Sequence, residues 1–222
     1  MDFIVRHPGL CDYQVAYDSM RRFNDERHSA TKDELWCLEH PPVYTLGLGG
    51  KREHVINPGN IPVIRVDRGG QVTYHGPGQL VVYCLLDLRR RSLGIKSFVK
   101  LLEKSVIDML SEQGLVAERR QGAPGVYINN RKIAALGIRI RRGCTYHGLA
   151  LNVDMELSPF HGINPCGYPD LQVTRLNDEG IGVNVLQASE LLLPHLRRHL
   201  HFPELALSGE VRNTVTSSDI AA

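Results

Sequence analysis

The sequence predicts an α+β domain built on a mostly antiparallel sheet, with helices packed on one side of it. Two observations point there. Strand-like runs outnumber helical stripes, and several of those runs are joined by tight turns. A length of 222 residues suits one domain with a real hydrophobic core.

Taken in order, Tyr13, Ala16, Tyr17, Met20 and Phe23 recur at helical spacing and predict a helix over residues 12–27. The run Leu35-Trp36-Cys37-Leu38-Glu39-His40 is stopped by Pro41-Pro42, and Val43-Tyr44-Thr45-Leu46 resumes it as a strand. Residues 61–66 and 79–86 read as stronger strands. Phe98, Leu101, Leu102, Val106, Met109 and Leu110 form the best helical stripe, with Ser97 as the expected N-cap and Gly114 as the stop. Gly125-Val126-Tyr127-Ile128 and residues 132–140 form a hairpin around Asn129-Asn130, residues that tolerate positive φ. A second turn at Arg141-Arg142-Gly143 leads into a strand over residues 145–153. A last helix over 184–200 should be kinked or ended by Pro194. The expected catalytic unit is therefore residues 1–207, followed by a polar, mobile tail at 208–222.

Composition excludes several classes. A formal charge of +2 gives no bulk argument for nucleic acid. No run of about eighteen apolar residues exists to span a membrane, and the first residues lack the apolar core of a signal peptide. The five cysteines lie far apart and none forms CxxC, which argues for reduced thiols in the cytoplasm and against a disulfide framework or structural zinc. A monomer is the default expectation.

Three segments carry chemistry. Residues 68–79 (RGGQVTYHGPGQ) hold four glycines and a proline, more than a hairpin tip needs. Two turns flanking a short strand would explain the glycines alone, but Arg68, Thr73, Tyr74 and His75 in the same stretch favour a binding loop whose backbone approaches a ligand closely. The tetrapeptide Thr73-Tyr74-His75-Gly76 returns as Thr145-Tyr146-His147-Gly148, an echo that chance, or two strands entering one pocket, would each produce. Cys166 stands between Pro165 and Pro169, outside any periodic segment, whereas Cys37 and Cys84 sit in apolar runs and read as core. Packing does not account for Cys166, so it is the candidate nucleophile. Lys132 opens an apolar strand, where an exposed strand-end lysine is the plain alternative.

With these segments together, the chain resembles the bacterial octanoyl-acyl-carrier-protein:protein octanoyltransferases of lipoate biosynthesis. The resemblance runs from about Trp36 to Gly167. It covers Trp36 with Glu39-His40, the whole of residues 68–79, Ala123-Pro124-Gly125-Val126-Tyr127, and Arg131-Lys132-Ile133-Ala134 with Gly137. Further on it takes in residues 147–153 and Asn164-Pro165-Cys166-Gly167. It implies the fold of the biotin/lipoate ligase catalytic domain, an acyl-thioester on Cys166, and Lys132 as the group that tunes that thiol. It also implies an acyl pocket lined by Arg68, Gly69, Gly70, Gln71, Val72, Thr73, Tyr74 and His75, by Ala135, Leu136 and Gly137, and by Gly148, Leu149 and Ala150.

The implied donor is acyl-carrier protein, whose phosphopantetheine carries the acyl group, so no cofactor or metal of the enzyme's own is expected. The implied acceptors are lysines of the lipoyl domains of 2-oxoacid dehydrogenase complexes and of the glycine-cleavage H protein. Backbone N–H groups around Gly148 and Cys166 would face the oxyanion, with His75 shaping the pocket. An ATP-dependent lipoate ligase and a non-catalytic lipoyl-domain-binding module are the alternatives.

Overall fold

The computed structural model describes residues 3–200, so the expected tail at 208–222 and its boundary lie outside the described residues. A seven-stranded sheet runs in the order β1 (Phe3–Leu10), β2 (Asp33–Glu39), β6 (Gln79–Leu85), β10 (Cys144–Asn152), β9 (Arg131–Arg141), β8 (Ala123–Ile128) and β7 (Glu118–Arg120). Only the β1–β2 pair in it is parallel. A smaller sheet places β3 (Val43–Leu46) between β4 (Val63–Arg65) and β5 (Val72–His75). Strand β5 lies inside the glycine-rich segment, so both readings of that stretch are present: a short strand between turns, and a surface that faces a cavity.

Helices cover both faces of the large sheet rather than one. Every residue of β6 is buried, because Leu80, Val82 and Cys84 point into one core and Val81, Tyr83 and Leu85 into another. The first core is closed by α2 (Ile95–Glu112) and α3 (Val185–His199), the second by α1 (Tyr13–Glu26). A strand without polar alternation is the signature of two covered faces. Each fully buried Leu, Val or Phe contributes roughly 1.5–3 kcal/mol, and this two-sided core holds the site's strands in register.

Local rules explain most element ends. Asp12 caps α1 by accepting from the Gln14 and Val15 backbone N–H groups. The N-cap of α2 is Gly94, so Ser97 lies inside the first turn and does not cap it. Gly114 follows the C-cap with φ +80, as a helix stop requires. Helix α3 starts at a capping box of Asn184 and Gln187 and runs through Pro194 to His199. Proline removes one N–H from the helix, while buried Leu192 and Leu196 on either side anchor it to the core. No described helix is long and apolar enough to cross a membrane.

Candidate active site

Lys132 reaches the site through a β-bulge. Simple alternation would put Lys132 and Ala135, three residues apart, on opposite faces of β9. The β8–β9 register shifts between Val126, paired to Ala134, and Tyr127, paired to Lys132, so Ile133 is an extra residue. Ile133 and Ala134 both enter the core behind the sheet, and Lys132 is turned to the other face. Gly125 makes room for it. A Cβ there would stand 2.8 Å from Lys132 Cε and 3.1 Å from Nζ, at a φ of +145 that L side chains rarely adopt. Lys132 is only 4% exposed, and it is not the exposed strand-end lysine that the sequence also allowed.

Cys166 arrives from the opposite side, at the tip of a tight turn. Gly167 N–H donates to Asn164 O at 2.9 Å and Tyr168 N–H to Pro165 O at 3.1 Å, which leaves Cys166 in the left-handed region at φ 57 and ψ 14. A non-glycine residue held there stores on the order of 1–3 kcal/mol, which the surroundings must supply. The flanks are tied down. Asn164 N–H donates to His54 O, and beyond the turn Lys132 N–H donates to Gln172 O while Thr174 N–H donates to Lys132 O. The backbone that follows the cysteine is thus paired with the backbone of the lysine itself.

The two side chains meet. Lys132 Nζ donates to Cys166 Sγ at 2.9 Å and to Pro124 O at 3.1 Å, and lies 5.2 Å from the centre of the Tyr127 ring. Burial works to lower the lysine pKa, but the Cys166 sulfur and the Tyr127 hydroxyl outweigh it and the pKa ends up raised. Lys132 is accordingly an ammonium at neutral pH. Cys166 is partly exposed, whereas Cys11, Cys37, Cys84 and Cys144 are buried, and all five thiols are free.

Beside this pair lies a cleft of about 510 Å³, counted with the open space at its mouth. Its walls include Cys166, residues of β5, β9 and β10, and the turn before β5. The residues named from the sequence for the acyl pocket line it with two exceptions, and Lys132 stands outside its wall. Tyr74 turns away into the small-sheet cluster with Tyr44 and Phe160, because neighbours of an alternating strand face opposite sides. Gly69 donates its N–H to Ile138 O and does not line the cavity. Sequence reasoning missed Tyr13, Val81, Tyr83 and, as a wall residue, His147. The echoed histidines His75 and His147 do face one pocket.

Arg68 is a buried cation whose recorded partners are neutral oxygens. Its guanidinium donates to Thr45 Oγ1 and O and to Gly69 O. Burial lowers its pKa, with the cavity's tyrosines and Cys166 opposing that. A cation kept out of water without a carboxylate favours negative charge appearing nearby.

The lipoyl protein ligase A/B catalytic domain family matches residues 12–197. An octanoyltransferase of Chromobacterium violaceum is 52% identical over 200 residues, covering 90% of this chain and 97% of that protein. The chain belongs to the octanoyltransferases. Members of that family are acyltransferase enzymes. Among solved structures, lipoate-protein ligase A bound with ATP superposes with a TM-score of 0.77 at 16% identity, covering 100% of this chain and 93% of that one. A biotin protein ligase from Aquifex aeolicus does so at 0.52 and 12% identity, over 90% of this chain and 69% of that one. At such low identity these two show a common fold and nothing more.

In this octanoyltransferase-family chain the polar side chains around the pocket form directed chains. His75 Nδ1 lies 2.7 Å from Gln79 Oε1, and Gln79 Nε2 donates to Asn152 Oδ1 at 2.9 Å, so His75 has the orienting partner the sequence did not reveal. His147 Nε2 lies 3.1 Å from Asp67 Oδ1. Burial pushes His40 down to about 4. Burial, then the nearby His40 and Arg68, push His75 down to about 3. Both rings are neutral in the folded state, whereas unfolded histidines titrate near 6.5. Below that pH the unfolded chain binds protons that the folded chain refuses, so stability is complete above pH ~6.5 and falls as pH falls toward 4, by up to ~1.4 kcal/mol per unit for each ring. The urea midpoint is expected to drop steadily from pH 7 to 5, and less steeply in His75→Asn. A level midpoint across that range would contradict neutral burial.

Proposed function

We propose that this chain moves an octanoyl or lipoyl group from the phosphopantetheine thioester of acyl-carrier protein to a lysine of a lipoyl domain, in the cytoplasm, through a thioester on Cys166. The carrying observation is the contact of Lys132 Nζ with Cys166 Sγ at 2.9 Å beside a largely apolar cleft. The thiolate is the nucleophilic form of a cysteine, and an ammonium in contact with the sulfur stabilises negative charge there. The thiolate adds to the donor carbonyl, the phosphopantetheine sulfur leaves with the electron pair, and the acyl group stays on Cys166. Acylation removes the negative charge beside Lys132, so its ammonium more readily passes a proton to the departing phosphopantetheine thiolate, which leaves as the thiol. The acceptor amine, with an ordinary pKa near 10.4, must lose a proton to attack, and neutral Lys132 takes it. Amide formation expels the Cys166 thiolate, and the pair is restored.

Arg68 adds positive potential to the cavity. The expectation that Gly148 donates to the oxyanion is weakened by its place in the ladder, since it pairs with Tyr83 on one side and Gly137 on the other. The backbone of the Cys166 turn is the remaining donor. Thioester exchange is nearly isoenergetic and amide formation is downhill, so the cycle needs neither ATP nor a metal. The lipoyl domains of 2-oxoacid dehydrogenase complexes and the H protein are the acceptors on this reading, with the enzyme as a monomer.

Intact mass after incubation with octanoyl-carrier protein, with EDTA and without nucleotide, tests this directly. One octanoyl unit is expected on the enzyme, mapped to Cys166, released by hydroxylamine and transferred to an added lipoyl domain. A strict need for ATP would move the chain to the ligase reading.

A further inference from the structure

The residues beneath the cleft change abruptly in size from one strand to the next. One row of cross-strand neighbours on the cavity side reads Gly125, Ala135, Ala150 and then Val81, from β8 through β9 and β10 to β6. The adjacent row reads Gly137, Gly148 and then Tyr83. In these rows the first strands offer only glycine and alanine, since Leu136 and Leu149 pack into the core behind the sheet, and β6 presents bulk. The next strand continues it, since Val81 pairs with Leu38 and Tyr83 with Trp36, both buried.

This trough has a reactive end and a closed end. Lys132 lies against Gly125, so the Cys166 pair stands over the β8 end. Three interstrand steps of ~4.8 Å carry the floor about 14 Å to β6. An eight-carbon acyl chain has seven C–C bonds of ~1.5 Å, which extend to roughly 9 Å when staggered. With the thioester sulfur at one end and the Val81 side chain at the other, the trough and the chain match.

The closed end is also stiff. His40 Nδ1 lies 2.6 Å from Cys11 O and must donate to it, so Nε2 is the acceptor and the Tyr83 hydroxyl, 2.6 Å away, donates there. Tyr13 covers the same end from α1 and is 3% exposed. Val81, branched at Cβ and 2% exposed, has restricted side-chain freedom.

We propose that Val81 and Tyr83, backed by Tyr13 and with Tyr83 locked by His40, form the wall that sets the longest acyl chain the enzyme accepts. This rests on the acyl-transfer reading of the same cleft and adds its length selection. The wall acts by refusing methylenes, and each one refused or admitted in a tight apolar pocket changes discrimination by ~10–200-fold.

The experiment offers the enzyme equal amounts of hexanoyl, octanoyl, decanoyl and dodecanoyl carrier protein and reads the Cys166 adducts by intact mass. Wild type is expected to favour eight carbons. Val81→Ala should raise the decanoyl-to-octanoyl adduct ratio by about tenfold or more. Ala150→Val moves the bulk one strand nearer the dyad and should raise the hexanoyl-to-octanoyl ratio by a similar factor. A ratio within twofold of wild type in Val81→Ala overturns the proposal, and this milder variant decides the matter if Ala150→Val does not fold. Wild type that forms no adduct with any donor would instead remove the acyl-transfer reading, and the ruler with it.

Discussion

Cys166→Ala is expected to form no acyl-enzyme and to transfer no acyl group, while two substitutions at Lys132 separate the two tasks proposed for the lysine. An ammonium within ~4 Å of a thiolate is worth about 1–4 kcal/mol, depending on the effective dielectric, which is about fivefold to several hundredfold in the thiol's ionisation constant. Lys132→Met keeps most of the aliphatic stem and removes the charge. Alkylation of Cys166 by iodoacetamide at pH 7, followed by peptide mass, should therefore slow by about fivefold or more, and acyl transfer should fall further because the proposed base is gone. Lys132→Arg keeps a positive charge that does not titrate. It should preserve much of the alkylation rate and still fail in transfer to the acceptor lysine. Equal alkylation in wild type and Lys132→Met would mean that another group holds the sulfur, with Arg68 the next cation in the cavity.

Gly148→Ala is expected to cost more stability than a Cβ added at any other described glycine. A Cβ at that position would stand 1.8 Å from Val82 O on β6, well inside van der Waals contact. The obstacle is backbone of the neighbouring strand, not the end of a flexible side chain. Relief requires β6 and β10 to separate, yet both are wholly buried and pair along five residues. A loss of more than about 4 kcal/mol is expected, which is exceptional for one substitution, and it should appear as a melting-temperature drop of many degrees or as insoluble protein. Gly182→Ala is the control. Nothing lies within 4 Å of its Cβ position, so its effect should stay within about 0.5 kcal/mol. A Gly148→Ala enzyme that melts like wild type would mean that the two strands tolerate more separation than their pairing indicates.

Much of this was legible in residues whose local signals agree. The 13–26 helix follows from its apolar spacing, and the hairpin at Asn129-Asn130 from residues that accept φ of 46 and 68. Cys166 stood out because no periodic segment explained it. Other signals were present but outweighed. The unbroken apolar run of β6 already implied cover on both faces, and Pro194 stops a helix only where tertiary contacts do not hold both sides.

By itself, then, the sequence determined the α+β class, the order of most elements, the family and the candidate pair Cys166 and Lys132. Its apolar periodicities and motifs are properties of contiguous residues. The tertiary structure alone decided that Lys132 faces Cys166, because a bulge at Ile133 reverses the alternation that the sequence implies. It alone decided that Tyr74 leaves the pocket while Tyr13, Val81 and Tyr83 close it. Which face a side chain takes, and what stands across from it, depends on register between strands distant in the chain, and register is set by the packing of the whole sheet.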